Sequence, residues 1–472
     1  MATQIRVNPH LAASSPTDPT PSGPSVSSPP RRRTPVGVVV AGSAVAGFLA
    51  AVALVAAPVV PATESALTGA VLFGFAVGWA LLAGLSTWLT AQPQRWAAVP
   101  ALVLGASGIT LLLLGTSAHP ALDWMWPPVL LVLAIWMGVR VHLDLGSGPA
   151  RWLLFPAVAA MGIAAVGAAY QTLGTALDAS PTSSMPGRLI DVGGHRLHLN
   201  CTGNGSPTVV VEAGGGMMAA QLGLITHTVA AGTTICVYDR GGRGWSEAAN
   251  SPQDALAIST DLHTLLHRAR VPGPYVMAGH SFGGLYALTY AAHQPDDVAG
   301  LVLIDSTSPD YGNASGATVP RASARSNDMV GRVAALTSAV ARLGVGRVFA
   351  ELAASDLPPN EHAQVRATSA TPETLRSIVE EYGRAGDSSD EAAALRDFGN
   401  KPLMVLSSTV GNAPDWSQKQ ERLAALSTDA VHRVVDGASH AALVSEKTYA
   451  AMTSQAILEV AFAVRTGQPL AR

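Results

Sequence analysis

The sequence predicts an α/β domain with a mostly parallel β-sheet, preceded by a membrane-spanning helical region. Five long apolar stretches follow one another before residue 175. After residue 187, short apolar segments alternate with helix-like segments, which is typical of a parallel sheet covered by helices on both faces. Charged residues make up only 13% of the chain, about half the usual globular share of roughly 25%, and they gather after residue 186.

Residues 1–34 are rich in Pro, Ser and Thr and contain few large apolar side chains. Such a segment buries too little surface to offset its ordering entropy, so we expect a disordered tail. It ends in the basic cluster 31–33. This cluster is set back from the N-terminus and several apolar stretches follow it, which favours retained membrane anchors over a cleaved signal peptide.

The apolar stretches predict a transmembrane region of about five helices over residues 35–173, in contact with membrane lipids. Their approximate ranges are 36–60, 66–90, 97–117, 127–142 and 152–173. A helix needs about 20 apolar residues to cross a bilayer, and only the fourth stretch is short. A soluble helical bundle fits poorly because soluble helices carry a polar face and these stretches do not.

The loops between these stretches predict the orientation in the cell membrane. Arginines lie before the first stretch and in alternate loops, at 31–33, Arg95, Arg140 and Arg151. The loops 61–65 and 118–126 contain no Lys or Arg. Because positive loops stay in the cytoplasm, five spans place everything after residue 173 on the extracytoplasmic side. Four spans would leave it inside.

A linker over residues 174–187 leads into a globular domain over residues 188–472. The net charge is −3 and there is no basic stripe, so no nucleic acid partner is expected. Two cysteines are too few for a Cys-based metal cluster. We expect neither a metal nor a cofactor.

A candidate nucleophile lies between an apolar segment and a helix-like segment. Residues 275–278 run into Gly279-His280-Ser281-Phe282-Gly283, and the helix-like residues 285–293 follow. This G-x-S-x-G pattern in a strand–turn–helix setting is typical of a nucleophile elbow. Glycines two residues either side of the serine avoid clashes where strand and helix approach each other. The pattern therefore predicts Ser281 as the nucleophile.

The serine needs a base, and His440 is the candidate, because it follows the final predicted strand. Two aspartates compete for the role of orienting that imidazole. Asp305 closes the apolar segment 301–304, where a carboxylate is costly without a partner. Asp415 precedes a helix, where its alternative role is an N-cap. The burial argument favours Asp305.

Two backbone N–H groups are expected to bind a developing oxyanion. Phe282 directly follows the nucleophile, and the second donor is expected in the glycine run 214–216, with Gly215 favoured over Gly216. We expect Met217 and His280 to contact the substrate.

Four segments in this order carry a resemblance: 209–215, 238–246, 279–284 and 437–440. Together they resemble the α/β-hydrolase superfamily, in its bacterial carboxylesterase and peroxidase-like branch, over residues 187–465. The resemblance implies an eight-stranded sheet with an antiparallel second strand and a helical cap inserted over residues 307–400. It also implies an acid after the seventh strand, at 402–406, but that position holds no carboxylate here.

The resemblance also makes strands two and four neighbours, which brings Cys201 and Cys236 together. A disulfide is one outcome, since an extracytoplasmic domain permits oxidation. Two buried thiols are the other.

These observations lead us to expect a membrane-anchored serine hydrolase that cleaves a small-molecule or lipid-like ester. An acyltransferase or a peptidase would use the same three residues. A non-catalytic ligand-binding sensor on the same fold is a third possibility, because fold does not determine function.

Overall fold

The computed structural model describes residues 33–145, 148–178, 185–309, 324–348 and 356–471. Nearly all of the expected disordered tail lies outside these residues. Residues 179–184 of the expected linker and 310–323 and 349–355 of the expected cap also lie outside them.

The described residues before 179 form five α-helices. They are α1 (Val36–Ala56), α2 (Glu64–Leu89), α3 (Ala98–Leu114), α4 (His119–Leu145) and α5 (Ala150–Asp178). Helix α4 begins earlier than the apolar stretch indicated. Helix α5 runs on to Asp178, so the first residues of the expected linker are helical.

By length and composition, four helical segments in the described residues could cross a membrane. They are Val36–Ala56, Glu64–Leu89, Arg95–Leu145 and Ala150–Asp178. The third is 51 residues long and contains both α3 and α4. The chain turns back between them at Gly115, which has a φ of 58°. As a result, the ring of Trp96, before α3, lies 6.2 Å from the ring of Trp136, late in α4.

Small residues allow the first two helices to pack closely. A Cβ atom on Gly47 of α1 would lie 2.8 Å from the Cα of Gly78 on α2. A Cβ on Gly74 would lie 2.4 Å from the Cα of Ala51. Such close backbone contacts are characteristic of helix packing in lipid. The hydrophobic effect does not drive helices together there, and small residues allow the close van der Waals contacts that do.

The C-terminal part contains an eight-stranded sheet in the order β1-β2-β4-β3-β5-β6-β7-β8. The strands are β1 (Arg188–Asp191), β2 (Arg196–Thr202), β3 (Thr208–Glu212), β4 (Ile235–Tyr238), β5 (Tyr275–His280), β6 (Val298–Ile304), β7 (Leu403–Val410) and β8 (Ala430–Ser439). Strand β2 runs antiparallel to β1 and β4, and the strands from β4 to β8 pair in parallel. The expected α/β sheet with an antiparallel second strand is confirmed.

Helices cover both faces of the sheet, and a helical insertion follows β6. The helices are α6 (Gly223–Ala230), α7 (Ala255–Ala269), α8 (Phe282–His293), α9 (Ala324–Ala341), α10 (Pro359–Ser369), α11 (Pro372–Gly383), α12 (Ala385–Ala392), α13 (Trp416–Ala424), α14 (Ala442–Ser445) and α15 (Lys447–Thr466). One core lies between the sheet and α7 with α8, and the other between the sheet and α6 with α15. Helices α9 to α12 form the described part of the cap.

Cys201 and Cys236 occupy directly paired positions on β2 and β4. Their sulfur atoms are bonded, which closes a loop with a sequence separation of 35 residues. Of the two outcomes left open by the sequence, the structure contains the disulfide.

Candidate active site

The elbow at Ser281 joins β5 to α8 through a strained turn. Ser281 has a φ of 55°, which is rare for a residue with a side chain and persists only where the surroundings impose it. Its N–H donates to the carbonyl of Ile304 at 3.2 Å, and its own carbonyl accepts the N–H groups of Gly284 and Thr307 at 3.0 Å each. The bonds with Ile304 and Thr307 hold the turn against the end of β6, and the bond from Gly284 closes the first turn of α8.

The two glycines of the motif are required by space. A Cβ on Gly279 would lie 2.4 Å from the carbonyl oxygen of Gly283. A Cβ on Gly283 would lie 2.2 Å from the carbonyl oxygen of Glu212, at the end of β3. Any side chain at either position would therefore push α8 away from the sheet.

His440 follows β8 directly, and its Nδ1 lies 2.6 Å from Oδ2 of Asp305. Asp305 is fully buried. It also accepts the Ser408 N–H at 2.9 Å, the Ser408 hydroxyl at 2.8 Å and the Trp416 indole N–H at 2.7 Å. Burial opposes ionisation of this carboxyl, but the hydrogen bonds, led by the one from His440, outweigh it and lower its pKa.

Asp415 lies elsewhere and contacts a different partner. Its carboxylate forms an i,i+4 ion pair with Lys419 at 2.8 Å, and its side chain is 54% exposed. It stands at the N-cap position of α13, but no side-chain hydrogen bond caps the helix there. The structure therefore places Asp305, and not Asp415, beside His440.

Among the described residues, no hydrogen bond joins the Ser281 hydroxyl to the His440 imidazole. Both side chains are partly exposed. Such catalytic hydrogen bonds are often long without substrate and tighten when it binds. With Nδ1–H donated to Asp305, the lone pair of the imidazole lies on Nε2, which is the nitrogen that a base needs.

His280 is buried under the site, with 3% of its surface exposed. Its ring centroid lies 4.7 Å from that of His440, and its Nε2 lies 3.1 Å from the His440 carbonyl oxygen, to which it donates. Burial, aided by the neighbouring His440, lowers its pKa to about 4, so the ring is neutral at pH 7. His280 therefore packs against His440 and binds its backbone carbonyl. Because His280 is buried, the substrate contact expected from the sequence would require its neighbours to move.

The glycine run after β3 is held in place through its carbonyl groups. Arg240 donates to the carbonyls of Ala213 and Gly214 at 2.8 and 2.7 Å. Arg243 donates to the carbonyl of Met217 at 3.4 Å. Met217 is partly exposed beside the run. We call residues 213–217, where the second oxyanion donor is expected from the sequence, the oxyanion loop.

The two glycines proposed as donors differ in what their N–H groups contact. The Gly216 N–H donates to Oε2 of Glu381 at 2.8 Å, so it is already occupied. The N–H groups of Gly215 and Phe282 have no acceptor among the described residues. Gly215 faces the ring of Phe282, since a Cβ on Gly215 would lie 3.1 Å from it.

Glu381 is a residue of the site that sequence reasoning missed. It lies near the end of cap helix α11, is 4% exposed, and pairs with Arg240 at 3.0 Å and Arg243 at 2.6 Å. It also accepts the Tyr286 hydroxyl at 2.6 Å. Burial alone would raise its pKa, but the two arginines outweigh burial and lower it to about 2.

A signal for part of this network is visible in the sequence. The two buried arginines lie in the segment 238–246 that carried the resemblance, and buried arginines require an acidic partner. Nothing local marks Glu381 as that partner, because its neighbour Glu380 is also acidic and pairs with Arg376 on the same helix.

Among the described residues, no group of three or more His, Cys, Asp or Glu side chains is arranged to hold a metal ion.

Comparison with known proteins identifies the family. A family model described as the alpha/beta hydrolase fold matches residues 207–447, which is 241 of the 472 residues. The chain belongs to the α/β-hydrolase family. The match spans the elbow, the oxyanion loop, the cap and His440 of this α/β-hydrolase.

Relatives among curated proteins match over shorter lengths. An uncharacterized protein of Schizosaccharomyces pombe is 32% identical over 157 residues, which is 26% of this chain and 29% of that protein. A probable transporter of Hormonema carpetanum is 29% identical over 138 residues, which is 28% of this chain and 20% of that protein. The α/β-hydrolase chain thus matches less than a third of the length of either relative.

Among solved structures, a thermophilic esterase from Thermogutta terrifontis is similar to 57% of this chain over 94% of its own length. The sequence identity is 23% and the TM-score is 0.43.

Proposed function

We propose that this α/β-hydrolase is a membrane-anchored serine hydrolase that cleaves an ester-like carbonyl substrate. The observation that carries the proposal is the 2.6 Å contact between Asp305 and His440 behind the elbow of Ser281. A buried, ionised carboxylate on Nδ1 fixes the imidazole tautomer and stabilises the imidazolium that forms when a serine loses its proton.

The proposed reaction has two halves. His440 takes the proton of the Ser281 hydroxyl while Oγ attacks the carbonyl carbon, and the negative charge moves to the carbonyl oxygen. The N–H groups of Phe282 and Gly215 bind that oxyanion. Collapse of the intermediate expels the alcohol, which takes the proton from His440. Water, activated by the same imidazole, then releases the acid and restores Ser281.

The experiment is labelling with a fluorophosphonate probe of membranes that contain the full chain. Wild type is expected to be labelled, and Ser281→Ala is expected to lose the label. Labelling that is independent of Ser281, or absent from well-folded wild type, would contradict the serine hydrolase and favour the ligand-binding sensor. Release of a free acid by the wild type, without acyl transfer to an added alcohol or amine, would separate the hydrolase from an acyltransferase.

We also propose that the chain crosses the cell membrane five times and that the hydrolase domain lies outside the cytoplasm. The proposed limits are those expected from the sequence, 35–173 for the membrane region and 188–472 for the hydrolase domain. The cap contacts the bundle at the loops that lack Lys and Arg. Arg332 of α9 donates to the carbonyls of Val55 and Val60 at 2.6 and 2.9 Å, at the turn between α1 and α2. The arginines at 95, 140 and 151 lie at the opposite helix ends.

This orientation agrees with the positive-inside rule and with an oxidised cysteine pair. A reporter enzyme that is active only outside the cytoplasm, fused after the final residue, is expected to be active. A fusion at residue 92, between α2 and α3, is the matched control and is expected to be inactive. The reverse pattern would contradict the five-span topology.

A further inference from the structure

Exposed apolar side chains of the described cap concentrate in one segment. Apart from Tyr382, the large apolar side chains that are exposed there are Met329, Val333, Val340, Leu343, Val345 and Val348. They extend from the middle of α9 into the helical turn 345–348 that follows it. We call residues 329–348 the cap wedge. A cluster of exposed apolar side chains in one segment suits a contact with a partner or a membrane.

The cap wedge lies against the side of a candidate membrane span. A Cβ on Gly167 of α5 would lie 2.3 Å from the carbonyl oxygen of Leu343, so the two backbones touch. Gly167 precedes the end of α5 by eleven residues, which is about 16 Å at the rise of an α-helix. Nearby on α5, Ile163 and Val166 are 74% and 61% exposed. The wedge therefore reaches the level at which α5 presents an apolar surface.

Buried and half-buried ion pairs hold the wedge at this depth. Arg342 pairs with Glu64 at the start of α2 and, at 2.8 Å, with Asp123 of α4. Arg347 pairs with Asp178 at the end of α5 at 2.6 Å. Trp124, next to Asp123, is 57% exposed, as suits an indole ring at the membrane interface. The pairs and the indole mark the polar boundary above the apolar surface.

One helix connects the cap wedge with the oxyanion loop. Helix α11 packs on α9, since a Cβ on Gly383 would lie 2.6 Å from a methyl group of Val330. The preceding residue, Tyr382, has its ring 5.2 Å from that of Phe282 and donates its hydroxyl to the Gly215 carbonyl at 3.4 Å. Helix α11 therefore contacts the cap wedge on one side and the oxyanion loop on the other.

We infer that the cap wedge is inserted into the bilayer interface, where its apolar side chains contact lipid acyl chains, and that the substrate is a membrane-dissolved ester with a long acyl chain. The first part follows from the continuity of the wedge with the apolar surface of α5. The second part rests on the proposed hydrolase function. Lipid is the occupant of this surface, because the neighbouring helices present the same apolar character at the same depth.

Membrane contact is tested without any enzymatic readout. The only two cysteines form the disulfide, so a nitroxide label can be placed on Val345→Cys in the full chain reconstituted in phosphatidylcholine vesicles. The controls are Val166→Cys on the apolar face of α5 and Val434→Cys, which is 55% exposed on β8. The label at 345 is expected to be more accessible to oxygen than to a water-soluble nickel chelate, as at 166 and unlike at 434.

Access to the nickel chelate at residue 345 equal to that at 434 would overturn the insertion. Shielding from both reagents would also overturn it, because a protein surface, such as a second copy of the chain, would then cover the wedge.

Substrate entry is tested with Val345→Asp combined with Val348→Asp. Hydrolysis of a long-chain ester dissolved in the vesicles is expected to fall at least tenfold, while hydrolysis of a water-soluble short-chain ester stays unchanged. An unchanged rate on the vesicle ester, or an equal loss on both esters, would overturn this part. If wild type shows no Ser281-dependent hydrolysis of either ester, the proposed function fails instead, and the nitroxide result still decides the membrane contact.

Discussion

Asp305 and His440 are 135 residues apart in the chain, and their side chains meet at 2.6 Å. The N–H of Asp305 donates to the Leu406 carbonyl at 2.7 Å, which extends the pairing of β6 with β7 by one residue. Asp305 itself has a φ of 45°, and its carboxylate accepts the N–H of Ser408 on β7. Because β7 pairs with β8, which His440 follows, strand order and register bring the two side chains to the same edge of the sheet.

Replacing Asp305 by Asn is expected to reduce kcat by roughly 10³–10⁴-fold, because an amide in this position favours the wrong imidazole tautomer. The measurement is Ser281-dependent turnover of a soluble ester by detergent-solubilised protein, with far-UV circular dichroism to show that the variant is folded. Asp415→Asn is the matched control and is expected to retain wild-type activity. Loss of activity in Asp415→Asn alone would contradict the assignment.

Replacing Glu381 by Gln is expected to lower kcat by roughly tenfold while KM changes little. Removal of an oxyanion donor costs about 10²–10³-fold, and Glu381 acts one step away, by holding the loop through Gly216 and two arginines. Glu380→Gln removes a neighbouring, more exposed carboxylate as the control. A rise in KM without a change in kcat would show instead that the cap contact serves substrate binding.

The same carboxylate makes stability depend on pH. The pKa of Glu381 is lowered from 4.5 to about 2 in the folded protein. Its contribution is therefore present above pH 4.5 and is lost as the pH falls toward 2. The Tm of Glu381→Gln is expected to lie below that of wild type at pH 6, and the gap is expected to narrow between pH 5 and pH 3. A gap that stays constant over this range would show that the charge of Glu381 does not stabilise the fold.

Loss of the Cys201–Cys236 disulfide is expected to destabilise the hydrolase domain by about 2–4 kcal/mol, because the bond restricts a loop of about 35 residues in the unfolded chain. Thermal unfolding of the Cys201→Ser, Cys236→Ser double variant measures the loss. Alkylation of the denatured protein is expected to modify neither cysteine until a reductant is added, whereas two buried thiols would react as soon as the chain unfolds. Alkylation of both Cys201 and Cys236 without reductant would show that the protein lacks the disulfide.

Much of the fold could be predicted because its signals are local. The apolar stretches before residue 175 and the apolar segments of the sheet are continuous in sequence. The elbow around Ser281 and the position of His440 after the last strand also follow from order along the chain. Helix boundaries were less accurate: α4 begins at His119, eight residues before the apolar stretch 127–142 that predicted it.

The sequence by itself determined the architecture and two of the three candidate catalytic side chains, Ser281 and His440. The pattern of apolar residues and the order of the motifs can both be read along the chain. Only the tertiary structure showed that Asp305, and not Asp415, lies beside His440. It also showed that the Gly216 N–H donates to Glu381. It also brought the cap wedge against α5. The reason is physical: each of these contacts joins segments distant in sequence, and the choice among similar carboxylates or glycines depends on strand register and helix packing that no local pattern encodes.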